Sequence, residues 1–255
     1  LQNKLKSIGL SPLNNVVDIT NYVLHEIGQP LHAYDLDKIS SKTVHVKTLK
    51  DKTKFITLDG ESRELNKSDL MICDKDSPMC IAGVFGGINY GISNETSSVF
   101  LESAYFNPVS IRKTAKRHNL NTDASFRFER GICIDTVEYA LKRAAILICD
   151  ICNGKISSDV IDEYPKRPEE TSILLNFEKT NKLIGQEIPR EEIKSILTSL
   201  DFKINNITET GVGITVPFFA LAFSAGLSFK RRSCRNQCME VVFFFMQKYL
   251  GLFHE

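Results

Sequence analysis

The run VVDITNYVLHEIGQPLHAYD, Val16 to Asp35, carries a helix-spaced apolar segment into a Gly28-Gln29-Pro30 break and sets His32 and Asp35 just beyond it. Val16–Glu26 reads as a helix entered near Asn14 or Asn15, stopped by Gly28 and closed off by Pro30, because glycine accepts the left-handed cap and proline restricts the residue before it. A turn that ends a helix and then presents an imidazole and a carboxylate can build a site, with Asn21, His32 and Asp35 lining or buttressing a pocket. Alternatively, His32 and Asp35 satisfy backbone groups at the turn. Neighbouring segments must decide between the two.

Upstream, Leu1, Leu5 and Ile8 share one helical face, and Gly9 stands where a C-terminal cap is expected. Downstream, Thr43–Lys47 and Phe55–Leu58 alternate like strands, and Asp59-Gly60 suggests a type I′ hairpin returning through Arg63–Leu65. Met71–Cys73 and Cys80–Phe85 are short apolar strands around a Ser77-Pro78 turn. Long helices do not alternate with these strands, so the expected class is α+β and sheet-rich. AGVFGGINYG, residues 82–91, has neither GxxxxGK[ST] nor GxGxxG. Gly83, Gly86 and Gly87 would instead let backbone approach a ligand closely, or form a bulged hairpin.

VFLESA, Val99–Ala104, is an apolar strand with one acid, Glu102, which is either wet at a strand end or satisfied in a pocket. Asn107-Pro108 opens a helix to His118 as N-cap and first helical residue. It concentrates Arg112, Lys113, Lys116 and Arg117 with no acid of its own, so a phosphate-binding face competes with a solvated one. Asp135–Cys152 is another helix, with Ile156–Ile161 a strand leaving it. YPKRPEE, residues 164–170, is a two-proline charged linker and the clearest domain boundary. Beyond it, helices at Asn176–Ile184 and Pro189–Leu200 and a hairpin of Phe202–Ile207 with Gly213–Val216 suggest a winged-helix-like module.

Composition narrows the classes. Hydrophobic residues at 42% and charged residues at 25% suit a globular chain of 255 residues, read as one large domain with a smaller one. A net charge of +1 gives no global attraction to nucleic acid, so any such binding needs a local patch. The seven cysteines are odd in number and lack secreted-type spacing, and no signal peptide precedes Leu1, so they read as reduced thiols of a cytoplasmic protein. Cys149 and Cys152 form a CxxC inside an apolar helical run and read as helix packing rather than half of a zinc site; no metal is expected. The chain starts inside a pattern without Met and reads as a fragment.

NNVVDITNYV, GQPLHAYD, AGVFGG, LESAYFNP and TDASFRFERG, in this order and spacing, resemble the central editing domain of the bacterial phenylalanine–tRNA ligase beta subunit. NFEKTNKLIGQEIPREEIKSILTSLDF resembles the small winged-helix-like module that follows it. The resemblance covers roughly residues 1–217 and implies an editing domain over 1–165 and the module over 166–217. It implies hydrolytic editing of tyrosyl-tRNA(Phe), with His32, Glu102 and Thr122 as catalytic residues and Asn21, Pro30, Ala82, Gly83 and Ala124 lining the substrate. By analogy Glu102 accepts the tyrosyl hydroxyl, supported by the Gly83 N–H. Ala82 and Ala124 leave room for the ring, and His32 stands at the ester end, with Asp35 left to the turn. Arg112, Lys113, Lys116 and Arg117 are candidates for the tRNA backbone. The whole enzyme would use ATP and magnesium and pair with an alpha subunit as a heterotetramer of two alpha and two beta subunits; the fragment itself needs no cofactor. A non-catalytic tRNA-binding or scaffolding module and a free-standing trans-editing protein are the rivals.

From Phe218 the family pattern stops. Residues 218–255 hold eight of the 16 Phe and no Asp, with Lys230-Arg231-Arg232 after an apolar run too short to span a bilayer. A reading-frame change near Phe218 is expected, with a lineage-specific tail as the alternative.

Overall fold

The computed structural model describes residues 1–75, 77–165 and 169–220. The chain divides into two compact units, Leu1–Asp162 and a second beginning at Glu163. Both mix helices with antiparallel sheet, an α+β architecture.

The first unit opens with α1 (Gln2–Ser7) and α2 (Asn15–Ile27). Asn14 caps α2, its side-chain oxygen accepting from the Val17 N–H at 3.0 Å, and Gly28 ends it in the left-handed conformation at φ 87°. The chain then enters β1 (Leu31–Asp35), whose partner is β8 (Val99–Ser103). Between them lie β2 (Val44–Thr48), β3 (Lys54–Ile56), β4 (Ser62–Glu64), β5 (Leu70–Asp74), β6 (Ser77–Ile81) and β7 (Phe85–Gly86). β2, β5, β6 and β7 form one sheet in that order, and β3 pairs with β4. α3 (Pro108–His118), α4 (Asp123–Phe128) and α5 (Thr136–Cys152) complete the unit.

The two-stranded ribbon of β1 and β8 is a partition between two cores. Side chains alternate across it. Leu31 and Leu101 pack with Ile19 and Val23 of α2 and Ala140 and Ala144 of α5, while Tyr34 and Phe100 join the larger core with Met71, Ile72, Met79 and Ile81. Small residues at Ala140 and Ala144 let α5 lie close on α2, and a bidentate ion pair from Arg143 to Glu26 (2.9 and 3.0 Å) fastens the outer edge. His32 and Glu102, on the face of Tyr34 and Phe100, therefore stand on the side of the larger core.

Several local expectations are corrected. Ile8 is exposed rather than on the buried face of Leu5, whereas Gly9 closes α1 as expected, left-handed at φ 84°, with its N–H donating to Lys6 O and the Leu10 N–H to Leu5 O. The Asp59-Gly60 turn is not type I′, which needs positive φ at both residues: Gly60 alone has it, and the Thr57 N–H donates to Glu61 O across a three-residue loop with Gly60 as the bulge. Ser77-Pro78 lies in β6, with Pro78 opposite Cys73, so the turn falls earlier, where Lys75 takes a left-handed φ of 52°. Ile156–Ile161 forms no strand; Ile156, Val160 and Ile161 are exposed and nothing pairs with their backbone among the described residues. α4 and the strand Thr171–Asn176 were not legible from periodicity.

In the second unit that strand, β9, leads into α6 (Phe177–Ile184), α7 (Arg190–Ser199), β10 (Lys203–Ile207) and β11 (Gly211–Val216). The antiparallel sheet runs β10-β11-β9 and covers a core of Leu175, Ile193, Ile196, Leu197, Val212 and Ile214. Glycine is required at 211, because a Cβ there would stand 2.5 Å from the Leu175 backbone oxygen. The expectations for the tail concern, beyond Ala220, residues outside those described.

Candidate active site

His32 and Glu102 are direct partners in the β1–β8 register, so their side chains share a face. Tyr34, two residues along β1, shares it too. Its hydroxyl donates to Glu102 Oε2 at 2.8 Å, and its ring meets the His32 imidazole edge-on with centroids 4.4 Å apart. Tyr34 is fully buried, whereas His32 and Glu102 keep an accessible edge.

The glycine-rich turn is the floor. A Cβ on Gly86 would lie 2.9 Å from His32 Cε1 and 3.2 Å from Nε2, so only glycine lets the imidazole seat over β7. Gly87 gives similar room to Phe55 and to the Met79 carbonyl. These two glycines therefore admit the protein's own groups rather than a ligand. Gly83, at φ 67°, packs on Phe106, Ile111 and Phe128, where a Cβ would come within 2.7–3.0 Å. Its N–H donates to no described atom and stays available, as its neighbours' do not: the Ala82 N–H donates to Leu70 O and the Val84 N–H to Ile81 O.

Thr122 is anchored to the same turn. Its Oγ1 donates to Val84 O at 2.9 Å and accepts from the Ser125 N–H at 3.1 Å, while the Thr122 N–H donates to Ser125 Oγ at 2.9 Å. The capping box starts α4, and the bond to Val84 O spends the hydroxyl's proton, leaving Thr122 an acceptor toward anything else. Ala124 and Ala82 pack in the core beneath. Asn21 is half-buried on α2, one turn before His25, whose Nδ1 lies 3.2 Å from Arg127 Nη2 of α4. Pro30 is buried at the mouth of β1, where Gln29 Nε2 bridges Pro30 O (3.1 Å) and Ala104 O (2.9 Å), tying the entry of β1 to the exit of β8. Asp35 caps the short 3-10 turn Leu36–Lys38 and accepts from Thr96 Oγ1 at 2.8 Å, a structural role.

Electrostatics follow from desolvation. Burial pulls His32 down to about 4, so the ring is neutral at pH 7, and neither of its nitrogens bonds a described residue. Burial pushes Glu102 up to about 7, against the opposing hydrogen bond from Tyr34. The Cys80 thiol lies against the Tyr34 hydroxyl and is also driven up by burial, so it is neutral. A neutral imidazole and a carboxyl poised near neutrality can bind and orient a polar substrate without a fixed charge.

The basic residues stand apart on α3. Arg112, Lys113 and Lys116 are exposed. Arg117 instead pairs with Asp69, which is fully buried just before β5 and also accepts from Thr114 Oγ1 (3.0 Å) and contacts His118 Nε2 (2.7 Å). The compensating acid absent from the helix is supplied from elsewhere, which removes Arg117 from a free cationic face. Cys149 and Cys152 lie on α5, and the described residues hold no group of three or more ligands for a metal. Tyr34 is the site residue that motif reading missed, and Gly86, read as a close approach to a ligand, instead makes room for His32. The i, i+2 alternation from His32 could have found Tyr34.

A mixed domain whose two-stranded ribbon sets an imidazole and a protonatable carboxyl over a glycine turn has the makings of a recognition and hydrolysis site. Residues 1–153 match the B3/4 domain family, and the chain belongs to it. Residues 173–219 match the tRNA synthetase B5 domain. The chain is similar to the phenylalanine–tRNA ligase beta subunit of Bacteroides thetaiotaomicron, 54% identical over 217 residues, covering 85% of this chain and 26% of that protein. It is similar also to those of Porphyromonas gingivalis, 50% identical over 218 residues, and Salinibacter ruber, 45% over 217, each again over 85% of this chain and 26% of the relative. The chain thus spans about a quarter of the length of these curated relatives. An N-terminal fragment of the phenylalanyl-tRNA synthetase beta subunit from Pyrococcus horikoshii overlays at a TM-score of 0.39 and 13% identity, covering 91% of this chain and 65% of that one.

Proposed function

We propose that this chain is part of a phenylalanine–tRNA ligase beta subunit and that residues 1–165 hydrolyse the ester of tyrosyl-tRNA(Phe). The observation that carries this reading is the opposition of His32 and Glu102 across β1 and β8. An apolar pocket rejects an added hydroxyl only about a hundredfold, whereas a site built to bond that hydroxyl discriminates about ten-thousandfold or better against the analogue without it. Glu102 Oε1 accepts the tyrosyl phenol, and the Gly83 N–H supports the same oxygen. Ala82 and Ala124 leave the ring its space. Neutral His32, with Asn21 and Pro30, orients the tRNA terminus and the attacking water. A base with its pKa near 4 takes a proton weakly at pH 7, so positioning carries most of the rate. Thr122 acts as an acceptor at the turn.

The partners of this reading are tRNA(Phe) and the alpha subunit of the ligase in a heterotetramer of two alpha and two beta subunits, in the cytoplasm. ATP and magnesium serve the aminoacylation step of the whole enzyme. Residues 166–217 are the accompanying module. No helix among the described residues is long and apolar enough to cross a membrane. The exposed Arg112, Lys113 and Lys116 favour a second reading, a tRNA-binding module without chemistry. Deacylation of tyrosyl-tRNA(Phe) separates the two: wild type should release tyrosine and Glu102→Ala should not. Equal, slow release by both leaves the binding module.

A further inference from the structure

Tyr34 appears in none of the roles above, yet it touches both principal groups. Its hydroxyl lies 2.8 Å from Glu102 Oε2, and its ring packs edge-on against His32 with centroids 4.4 Å apart. It is fully buried in the larger core, with Phe100 at 5.9 Å behind it. A carboxylate with two equivalent oxygens and a free rotor would offer a substrate phenol many poses. One oxygen already held by an immobile donor removes that freedom before binding, and the ring does the same for an imidazole that bonds no described residue.

We propose that Tyr34 is the positioning and specificity residue of this site: its hydroxyl holds Glu102 Oε2, turning Oε1 toward the substrate phenol, while its ring edge fixes His32. The proposal rests on the editing reading for its substrate, but the holding of Glu102 is a property of the free protein. The titratable groups facing Glu102 are His32 and Tyr34 of β1 and Cys80 of β6. Behind the ribbon, Ser103 bonds Val137 O of α5 at 2.7 Å and brings no charge. Tyr34 donates to the ionised form of Glu102 and holds its pKa down against burial.

Two variants of the full chain separate the roles. Tyr34→Phe keeps the ring and removes the hydroxyl; Tyr34→Leu removes both. Titration of the Glu102 carboxyl by carbon NMR needs no substrate, and in Tyr34→Phe its midpoint should rise above the wild-type value. With tyrosyl-tRNA(Phe), Tyr34→Phe should lose about tenfold in preference for tyrosyl over phenylalanyl ester, chiefly through KM, with the acid limb of the profile moved to higher pH. Tyr34→Leu should lower kcat as well, because His32 is released. An unmoved titration with wild-type activity intact would overturn the Tyr34 assignment alone. A shifted titration with no hydrolysis by wild type would overturn the editing reading, and the specificity role with it.

Discussion

Replacing Glu102 by Gln should make the first unit more stable at pH 8, although it removes a principal residue of the site. Glu102 has an ordinary value of 4.5 and is pushed up to about 7 in the folded chain. The folded state therefore binds the proton more tightly than the unfolded one. The stability this contributes is complete below about 4.5 and is lost as pH rises through about 7. Linkage puts the cost of the native carboxyl at about 1 kcal/mol at pH 5 and about 3 kcal/mol at pH 8. The accessible edge of the side chain makes the larger figure an upper bound. Gln has nearly the same shape, accepts the Tyr34 hydroxyl through its own oxygen and carries no charge. Folded His32 titrates below this window and buried Cys80 and Tyr34 stay neutral through it, and the protonation of unfolded His32 near its ordinary 6.5 is common to wild type and variant, so their difference reports Glu102. Urea unfolding of wild type and variant at both pH values is the assay. The variant should match wild type to within about 1 kcal/mol at pH 5 and exceed it by about 2–3 kcal/mol at pH 8, a midpoint shift of about 1 M at constant slope. An identical difference at both pH values would refute the desolvation account. A site that costs stability at working pH is the usual exchange for recognition.

Gly86→Ala should leave the fold intact but drive His32 from its seat, because the new methyl meets Cε1 at 2.9 Å. Tyrosyl-ester hydrolysis should fall by about 10–100-fold, with about 1–3 kcal/mol lost in urea unfolding. Asp69→Ala should cost about 3 kcal/mol or more by the same assay, since it leaves the Thr114 hydroxyl, His118 and Arg117 without their shared buried acceptor. Arg117→Ala, at the exposed side of the pair, should also destabilise by leaving Asp69 short of its cation, but by less, because Thr114 and His118 remain. Changing Arg112, Lys113 and Lys116 together to Ala should weaken tRNA binding and flatten its salt dependence by about 2–3 in log–log slope, without altering the tyrosine preference. An unchanged slope by filter binding would remove α3 from the tRNA path.

Much of this molecule was legible in its chain because the controlling physics is local. The ends of α2 are read from Asn14 and Gly28 and the start of α3 from Asn107, whose side chains or left-handed conformations act within a turn of their own position. Asp35's return to the turn is equally local. The Asp59-Gly60 loop misled because two backbone geometries suit the same dipeptide, and strand spacing selected the bulged one. Ile156–Ile161 misled because a β-like composition forms no strand without a neighbour to pair with.

The sequence by itself determined the helix ends, the apolar faces, the α+β class and, through its motifs, which residues to watch. Tertiary structure alone decided which of them meet. His32 and Glu102 are 70 positions apart, and only the β1–β8 register sets them face to face. That pairing depends on long-range hydrogen bonds and on the two cores that clamp the ribbon, neither of which leaves a local trace. The same holds for Tyr34, which reads as an ordinary buried aromatic until Glu102 is found at its hydroxyl, and for Gly86, whose necessity appears only once the imidazole lies above it. The pKa values of the pair come from this enclosure, because desolvation depends on what surrounds a group in space and not on its neighbours in the chain.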